Sequence, residues 1–384
     1  MKRPLRIAFD VAQTCQERAG CGWYADALIR ALAAVAPENT YLLYHHFDAW
    51  INPDTSAGTY LDAPGAEHPM RALGLEDAAE LWRKLNLGEA PFPGAPDIVH
   101  ANSHQAPRVG PARLVYTVHD LSFWTHPQYT TDANRLVCQQ GLIAALDRAD
   151  GLLFVSESTR RDFQRVLPGW LEASGTPSAV TLEGARALAP VPQDSPLAAP
   201  SDCWLAVGTL EPRKNYETLL DALNLYWPRS ANPRPLLIAG GSGWKSETLK
   251  RRLAELETLG RVQLLGYVPD LELDQLYANA RALIFPSWNE GFGLPVLEAM
   301  GRGCPVICSR LASLPEVGGD AVLYIEPAKA ESICEAMLEL ESNPSRREQM
   351  AAAGLEQAAR FSWEKTARET LDFYERVLAS PKRN

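Results

Sequence analysis

Strand-like and helix-like segments alternate along the whole chain, and the alternation starts afresh once near the middle. In the first half, Leu5–Val11, Tyr41–Phe47, Asp97–Ala101, Leu114–Val118 and Gly151–Ser156 read as strands. Helices fit at about Gly22–Val35, Thr131–Arg148 and Ser158–Val166. From Ala173 to Ser201 the chain fills with Pro, Ala, Gly and Ser, the composition of a boundary, with one short strand at Ala179–Leu182. The second half then reads Cys203–Gly208, Pro235–Gly240, Val262–Gly266, Ala282–Pro286, Pro305–Cys308 and Val322–Ile325 as strands with helices between them. From Ala330 onward it reads as helical, over Ser345–Arg360 and Ser362–Leu378. Alternation of this kind implies parallel sheets joined by crossover helices. The expected fold is α/β: two doubly wound, Rossmann-like domains at about 1–185 and 200–360, with ligands in a cleft at the strands' carboxyl ends.

A length of 384 residues suits two domains of ordinary size. No 18-residue apolar segment is present, and the start has too short an apolar run for a secretion signal, so a cytoplasmic location is expected. A net charge of −10 argues against a nucleic-acid partner, which would want a basic stripe. Local basic runs such as Arg160-Arg161-Asp-Phe-Gln-Arg165 leave room for peripheral contact with an inner membrane face. The seven cysteines are scattered without a C-x-x-C pair and read as reduced, buried hydrophobes.

The chemistry concentrates at strand ends. Arg281–Pro286 reads as a buried strand, Leu294–Gly301 as a helix with Pro295 in its first turn, and Glu290 and Glu298 flank the glycine turn between them. Gly291 and Gly293 let bare backbone N–H groups face a ligand at a helix N-terminus, a seat for phosphate. A diphosphate flanked by carboxylates that accept from hydroxyls is a way to hold a nucleotide sugar. After Cys203–Gly208 comes Thr209-Leu-Glu-Pro-Arg-Lys-Asn215, with Asn215 expected as an N-cap. Arg213 and Lys214 sit at that helix's positive end, an arrangement that makes sense with an anion between them.

Other strand ends carry weaker signals. His119 follows Leu114–Val118 and can donate to a sugar hydroxyl or a carbonyl; a zinc site with His100 and His104 is disfavoured because helical spacing is doubtful. Gly20-x-Gly22-x-x-Ala25 formally fits a dinucleotide fingerprint, but the loop before it is too long, and a glycine turn over a phosphate or sugar is preferred. Tyr267 and Val268 are placed to cover a nucleobase, while Trp244 and Tyr267 also suit ordinary packing.

Together these strings resemble glycosyltransferase family 4, retaining enzymes of the GT-B fold. The resemblance runs through Gly20-x-Gly22, Val115–Leu121, Val155–Arg160, Val207-Gly208-Thr-Leu-Glu-Pro-Arg-Lys-Asn215, the E-x7-E element Glu290–Glu298, Ser309–Val317 and Phe361-Ser-Trp363. It implies that Arg213 and Lys214 bind the donor diphosphate and that Glu298 accepts from the ribose hydroxyls. Glu290 and the backbone of Gly291, Phe292, Gly293 and Leu294 would hold the transferred sugar, with Gly20, Gly22, Gly208, Tyr267 and Val268 also at the donor. His119 would meet the sugar's 6-hydroxyl or the leaving group. The family's last helix returns to the first domain, which places about 361–384 there. Where related enzymes carry a Gly-Ile-Gly-Arg type of string, this chain has Gly20-Cys-Gly-Trp23.

The expected activity is metal-independent hexosyl transfer with retention, since no Asp-x-Asp pair is present and no second carboxylate is evidently placed as a nucleophile. No cofactor is expected beyond the nucleotide-sugar donor as substrate. The strings His119–Tyr129 and Ser313–Val317 look most like bacterial mannosyl- and rhamnosyltransferases of polysaccharide or O-antigen assembly. GDP-mannose is therefore the favoured donor and a glycan or lipid-linked oligosaccharide the expected acceptor. UDP-glucose, UDP-amino sugars and dTDP-rhamnose are alternative donors, and a nucleotide-sugar epimerase of the same fold is the rival activity. A nicotinamide dehydrogenase would leave Arg213, Lys214, Glu290 and Glu298 without a purpose.

Overall fold

The structure, a computed structural model, describes residues 3–15, 20–186 and 202–383. Glu17–Ala19 of the N-terminal glycine string and residues 187–201 of the expected boundary lie outside the described residues. Two compact units are present. The first comprises the chain up to Thr125, Asp132–Gly184 and the chain from Ser362 on; the second comprises His126–Thr131 and Ala185–Phe361.

The first unit holds a seven-stranded parallel sheet. Its strands are β1 (Arg6–Asp10), β2 (Thr40–Tyr44), β3 (Ala66–Glu67), β4 (Ile98–Ala101), β5 (Arg113–Val118), β6 (Gly151–Phe154) and β7 (Ser178–Val180), in the order β3-β2-β1-β4-β5-β6-β7. Central strands such as β4 and β6 are buried at every position because helices cover both faces, and so they read as continuous apolar runs. Ile7 pairs with Tyr41 on one side and Ile98 on the other, so strand order reverses between β1 and β4.

The expected strand Tyr41–Phe47 stops at Tyr44. Beyond it, Phe47 bridges to Trp50, and Asn52 takes the His45 carbonyl and gives its own N–H to His46 Nδ1. The short β3 and the helix Leu75–Leu87 fall in a stretch the sequence pattern left unassigned. That helix buries Ala78, Trp82 and Leu85, and Trp82 meets Tyr44, Phe47 and Phe92 edge-on.

Helix Trp363–Ala379 packs on helix Gly20–Val35 and on β5. A Cβ on Gly151 would lie 2.6 Å from Val377 Cγ2 and 2.9 Å from the Phe373 ring, so glycine is what admits the helix there. Tyr374, on the same helix, shares a 2.6 Å hydrogen bond with His100 Nδ1.

The second unit holds six parallel strands, β8 (Trp204–Val207), β9 (Leu236–Ala239), β10 (Val262–Gly266), β11 (Ala282–Phe285), β12 (Val306–Ser309) and β13 (Leu323–Ile325), in the order β10-β9-β8-β11-β12-β13. Leu205 pairs with Leu237, and Leu283 pairs with both Leu205 and Val306. Strand order reverses between β8 and β11, the place where open α/β sheets bind ligands. Trp204, Tyr226, Leu236, Ile284, Ile307 and Met337 lie in one apolar core.

His126–Thr131 belongs to this second unit, although the sequence placed all of 1–185 in the first. The Trp244 indole donates to the Tyr129 carbonyl at 2.7 Å and Lys245 Nζ to the Gln128 carbonyl at 3.0 Å, which fastens the segment there. Trp244 is thereby a structural residue.

Candidate active site

At the switch point of the second sheet, the residues after β8 and those after β11 meet through their side chains. β8 runs into Gly208, a single turn of 3-10 helix at Pro212–Lys214, and helix Tyr216–Tyr226. Gly208 has φ +139, and a Cβ there would sit 2.9 Å from Lys214 Cε. Both the backbone angle and the lysine stem crossing it demand glycine. Arg213 Nη1 donates to Glu290 Oε2 at 2.6 Å and to the Asn289 carbonyl at 2.8 Å, and Nη2 donates to Glu211 Oε1 at 2.7 Å. Lys214 Nζ donates to Glu290 Oε1 at 2.8 Å and lies 4.6 Å from the centre of the Phe285 ring.

The sequence argued that two cations at this helix mouth need an anion. In the structure that anion is Glu290, with Glu211 behind it. Burial works to raise the Glu290 pKa, but Arg213 and Lys214 more than offset it and hold the carboxyl at about 2. Asn215 corrects an expectation. It stands ahead of helix Tyr216–Tyr226 with a left-handed backbone (φ 60°) and makes no side-chain bond to the helix amides; its Oδ1 accepts from the Thr218 hydroxyl at 2.7 Å. Its amide donates instead to the carbonyls of Pro286 (3.0 Å) and Pro327 (2.8 Å), tying the turn after β8 to the chain after β11 and β13.

The loop from Pro286 to Gly293 is held from below. Ser309 Oγ donates to the Ser287 carbonyl at 2.6 Å, and Ser313 Oγ lies 2.9 Å and 2.6 Å from the carbonyls of Glu290 and Phe292. Phe292 is buried edge-on to Phe361, so only its backbone is available to a ligand. Gly293 (φ +112) turns the chain into helix Leu294–Gly301, where the Val296 and Leu297 amides donate to the Gly293 carbonyl at 3.0 Å and 3.3 Å and Pro295 has no N–H.

Glu298, also buried, accepts from the Tyr277 hydroxyl at 3.0 Å and from Arg186 Nε at 2.6 Å. Burial, then the Glu298 charge, pushes the Tyr277 hydroxyl pKa well above its ordinary value, so the phenol stays a donor. Tyr267 is exposed and Val268 half-buried, in the turn between β10 and helix Asp270–Asn279.

In the first unit, His119 follows β5. Its Nε2 lies 2.8 Å from the Asn102 carbonyl, and its ring stands edge-on to Tyr24. A carbonyl only accepts, so in the neutral ring Nε2 carries the proton and Nδ1 presents the lone pair. The Asn102 amide donates to the Asp10 carbonyl at 2.6 Å, joining the ends of β4 and β1 at that sheet's switch point. Asp10 is fully buried. Burial pushes its carboxyl up to about 6, against the hydrogen bond that the Ala12 amide donates to Oδ1 at 3.0 Å.

Gly20 and Gly22 lie inside the first turn of helix Gly20–Val35, which corrects the expectation of a glycine turn ahead of a helix. His100 is a core residue: Nδ1 meets Tyr374, Nε2 meets Thr117 at 2.7 Å, and burial pushes its pKa down to about 3. Among the described residues, no group of three or more His, Cys, Asp or Glu side chains could hold a metal ion. No helix among them is long and apolar enough to cross a membrane.

Sequence reasoning missed Glu211, Tyr277, Arg186, Asn102 and Asp10. Glu211 was legible within the Glu-Pro-Arg-Lys-Asn string. Asp10 was legible as a charge closing an apolar strand. Arg186 and Tyr277 carried no local signal.

Comparison with known proteins bears on the family and the fold. The profile of the family described as "Glycosyl transferases group 1" matches residues 192–357. O-antigen chain mannosyltransferase B of Escherichia coli is 37% identical over 274 residues, 68% of this chain and 70% of that protein. Serotype-specific mannosyltransferase WbdA of Escherichia coli is 30% identical over 343 residues, 83% of this chain but 41% of that longer protein. Among solved structures, sucrose-phosphate synthase from Thermosynechococcus elongatus superposes with a TM-score of 0.72 at 19% identity, covering 99% of this chain and 100% of that one. WaaG, a glycosyltransferase involved in lipopolysaccharide biosynthesis, gives 0.67 at 16% identity over 97% of this chain and 100% of its own. At those identities the structures speak for the fold, which is GT-B. The fold, the strand-end cations and carboxylates, and the extent of the O-antigen relative's match together make this chain a glycosyltransferase of the group 1 family, of the kind grouped as glycosyltransferase family 4.

Proposed function

We propose that the chain transfers a mannosyl residue from GDP-mannose, with retention and without a metal ion, to a sugar hydroxyl of a glycan or lipid-linked oligosaccharide in O-antigen or polysaccharide synthesis. The observation that carries the reading is the convergence of Arg213 and Lys214 on one buried carboxylate where β8 and β11 diverge. Two fixed cations beside a helix N-terminus are suited to the charge that grows on a departing diphosphate, which is the task a divalent ion would otherwise perform. The names of the O-antigen relatives support mannose as the sugar.

In this mechanism Arg213 and Lys214 take the diphosphate, and Gly208 lets Lys214 reach it. Glu290 turns to the transferred sugar, with the amides from Gly291 to Leu294. Glu298 accepts from the ribose hydroxyls, and Tyr267 and Val268 cover the base. His119 offers Nδ1 to a sugar hydroxyl. The departing diphosphate oxygen accepts the proton of the attacking hydroxyl on the same face, so the anomeric configuration is retained. Contact with the inner membrane face would follow from a lipid-linked acceptor.

A thermal-shift panel of GDP, UDP and dTDP tests the donor. A ligand at ~100 times its Kd stabilises by roughly 2.7 kcal/mol, enough to identify the base. Stabilisation by UDP or dTDP alone would replace GDP-mannose with UDP-glucose, a UDP-amino sugar or dTDP-rhamnose. Rapid epimerisation of the nucleotide sugar without acceptor would sink the transferase mechanism. Mass spectrometry of products from the matching donor then identifies the acceptor.

A further inference from the structure

Both oxygens of Glu298 already have protein partners: Arg186 Nε on Oε1 at 2.6 Å and the Tyr277 hydroxyl on Oε2 at 3.0 Å. Arg186 comes from the connection that follows β7 and Gly184, outside any strand or helix. Its side chain is only 10% exposed, and its Nη1 donates to Asp270 Oδ1 at 2.7 Å. Asp270 opens the helix directly after Tyr267-Val268-Pro269. One guanidinium therefore bridges the carboxylate read as the ribose acceptor and the turn read as the cover of the base.

A ribose diol binds a carboxylate by donating hydroxyl hydrogens to its oxygens, and Arg186 donates at that same place. We propose that Arg186 occupies the ribose position of the donor site, and that a nucleoside diphosphate binds by displacing it from Glu298. Arg186 thereby sets donor affinity. This rests on the reading of Glu298 as the ribose acceptor. In the exchange Glu298 keeps Tyr277 and gains the diol, while the guanidinium keeps Asp270, whose side chain is 55% exposed. Deleting Arg186 alone leaves a buried carboxylate without its charge partner, and such a group binds an incoming donor more tightly than a satisfied one does.

The test is calorimetric titration of the full chain with GDP and UDP, each beside its 2′,3′-dideoxy form. In the Arg186→Met variant the ribonucleotide should bind at least five-fold tighter than in wild type. Its preference over the dideoxy form should rise by a similar factor, because only the diol competes for Glu298. Arg186→Lys, which keeps the charge and the stem, should fall between the two. Unchanged or weaker ribonucleotide binding by Arg186→Met, or by Arg186→Lys if circular dichroism shows the methionine variant unfolded, overturns the competition. Glu298→Gln separates the two readings. If it binds ribo- and dideoxynucleotides as wild type does, the ribose assignment itself is wrong and the inference goes with it. If it loses the preference while the Arg186 variants gain nothing, the competition alone is wrong.

Discussion

Lys214 Nζ and Glu290 Oε1 stand 2.8 Å apart, an ion pair that joins the carboxyl ends of β8 and β11 across the reversal in strand order. Arg213 grips the other oxygen of the same carboxylate. The free protein thus neutralises, with Glu290 and Glu211, the two cations that the proposed mechanism assigns to the diphosphate. Under the proposed mechanism, donor binding would be an exchange of anions on a preassembled clamp.

Removing either cation should disable that clamp. Arg213→Ala and Lys214→Ala are each expected to lower kcat by about two to three orders of magnitude, the usual loss for a group that stabilises charge on a leaving oxygen. Each variant leaves Glu290 one cation, so far-ultraviolet dichroism should remain native. Initial rates with the donor chosen by thermal shift provide the check, and near wild-type transfer by both variants would refute the diphosphate assignment.

Acid should weaken the same pair. The Glu290 carboxyl is held at about 2, below its ordinary 4.5, so its contribution is complete above about 4.5 and is lost as pH falls toward 2. The contribution is on the order of 3 kcal/mol. Chemical denaturation from pH 5 down to pH 2.5 should show stability falling with pH. Glu290→Gln should be less stable at pH 7 and show a shallower decline.

Asp10 should behave in the opposite sense. Its folded pKa, raised to about 6 from 3.8, means that the native state holds the proton more tightly than the unfolded chain does. Stability should therefore fall as pH rises from about 4 through 6. Asp10→Asn removes the buried charge and keeps an oxygen for the Ala12 amide, so it should stabilise the protein at pH 7.5 by on the order of 3 kcal/mol. The gain should vanish at pH 4. Melting curves at the two pH values decide it; a variant no more stable than wild type at pH 7.5 would show that burial does not strain this carboxylate.

Gly208→Ala should damage activity through Lys214. The added methyl meets the lysine stem at 2.9 Å and forces an alanine to φ +139. A cost of about 1–3 kcal/mol is expected for such a backbone position. A raised KM for the donor together with a reduced kcat in steady-state kinetics is the expected signature. Unaltered kinetics would mean that Lys214 needs no such passage.

The sheets were legible because parallel strands covered on both faces read as unbroken apolar runs: Ala282–Phe285 and Gly151–Phe154 needed nothing more. Strand ends were legible too, since the motifs around Arg213 and Glu290 are contiguous in sequence. What stayed hidden was how those motifs are satisfied. The αL backbone at Asn215 redirects a side chain whose type alone suggests a cap. The partner of Glu298 comes from Arg186, 112 residues away in sequence, and no local pattern encodes such a pairing. Gly20 and Gly22 misled because glycines ahead of an apolar periodicity look like a turn, whereas the helix begins on them. His126–Thr131 gave no compositional sign of belonging to the second unit. Its attachment depends on two side chains from a distant turn.

The chain leaves the first unit after Gly184 and re-enters it at Ser362, and these two points touch. A Cβ on Gly184 would lie 2.3 Å from the Trp363 amide nitrogen, and the Thr366 hydroxyl donates to the Leu182 carbonyl at 2.5 Å. Apart from the short His126–Thr131 segment, the second unit is therefore an insertion whose two ends emerge side by side, the arrangement in which grafting and excision succeed. A shortened gene that splices Gly184 to Ser362 through a few flexible residues should yield a folded first unit with its last helix in place. Simple truncation at Gly184 would strip that helix from Gly151 and His100 and leave an insoluble remnant.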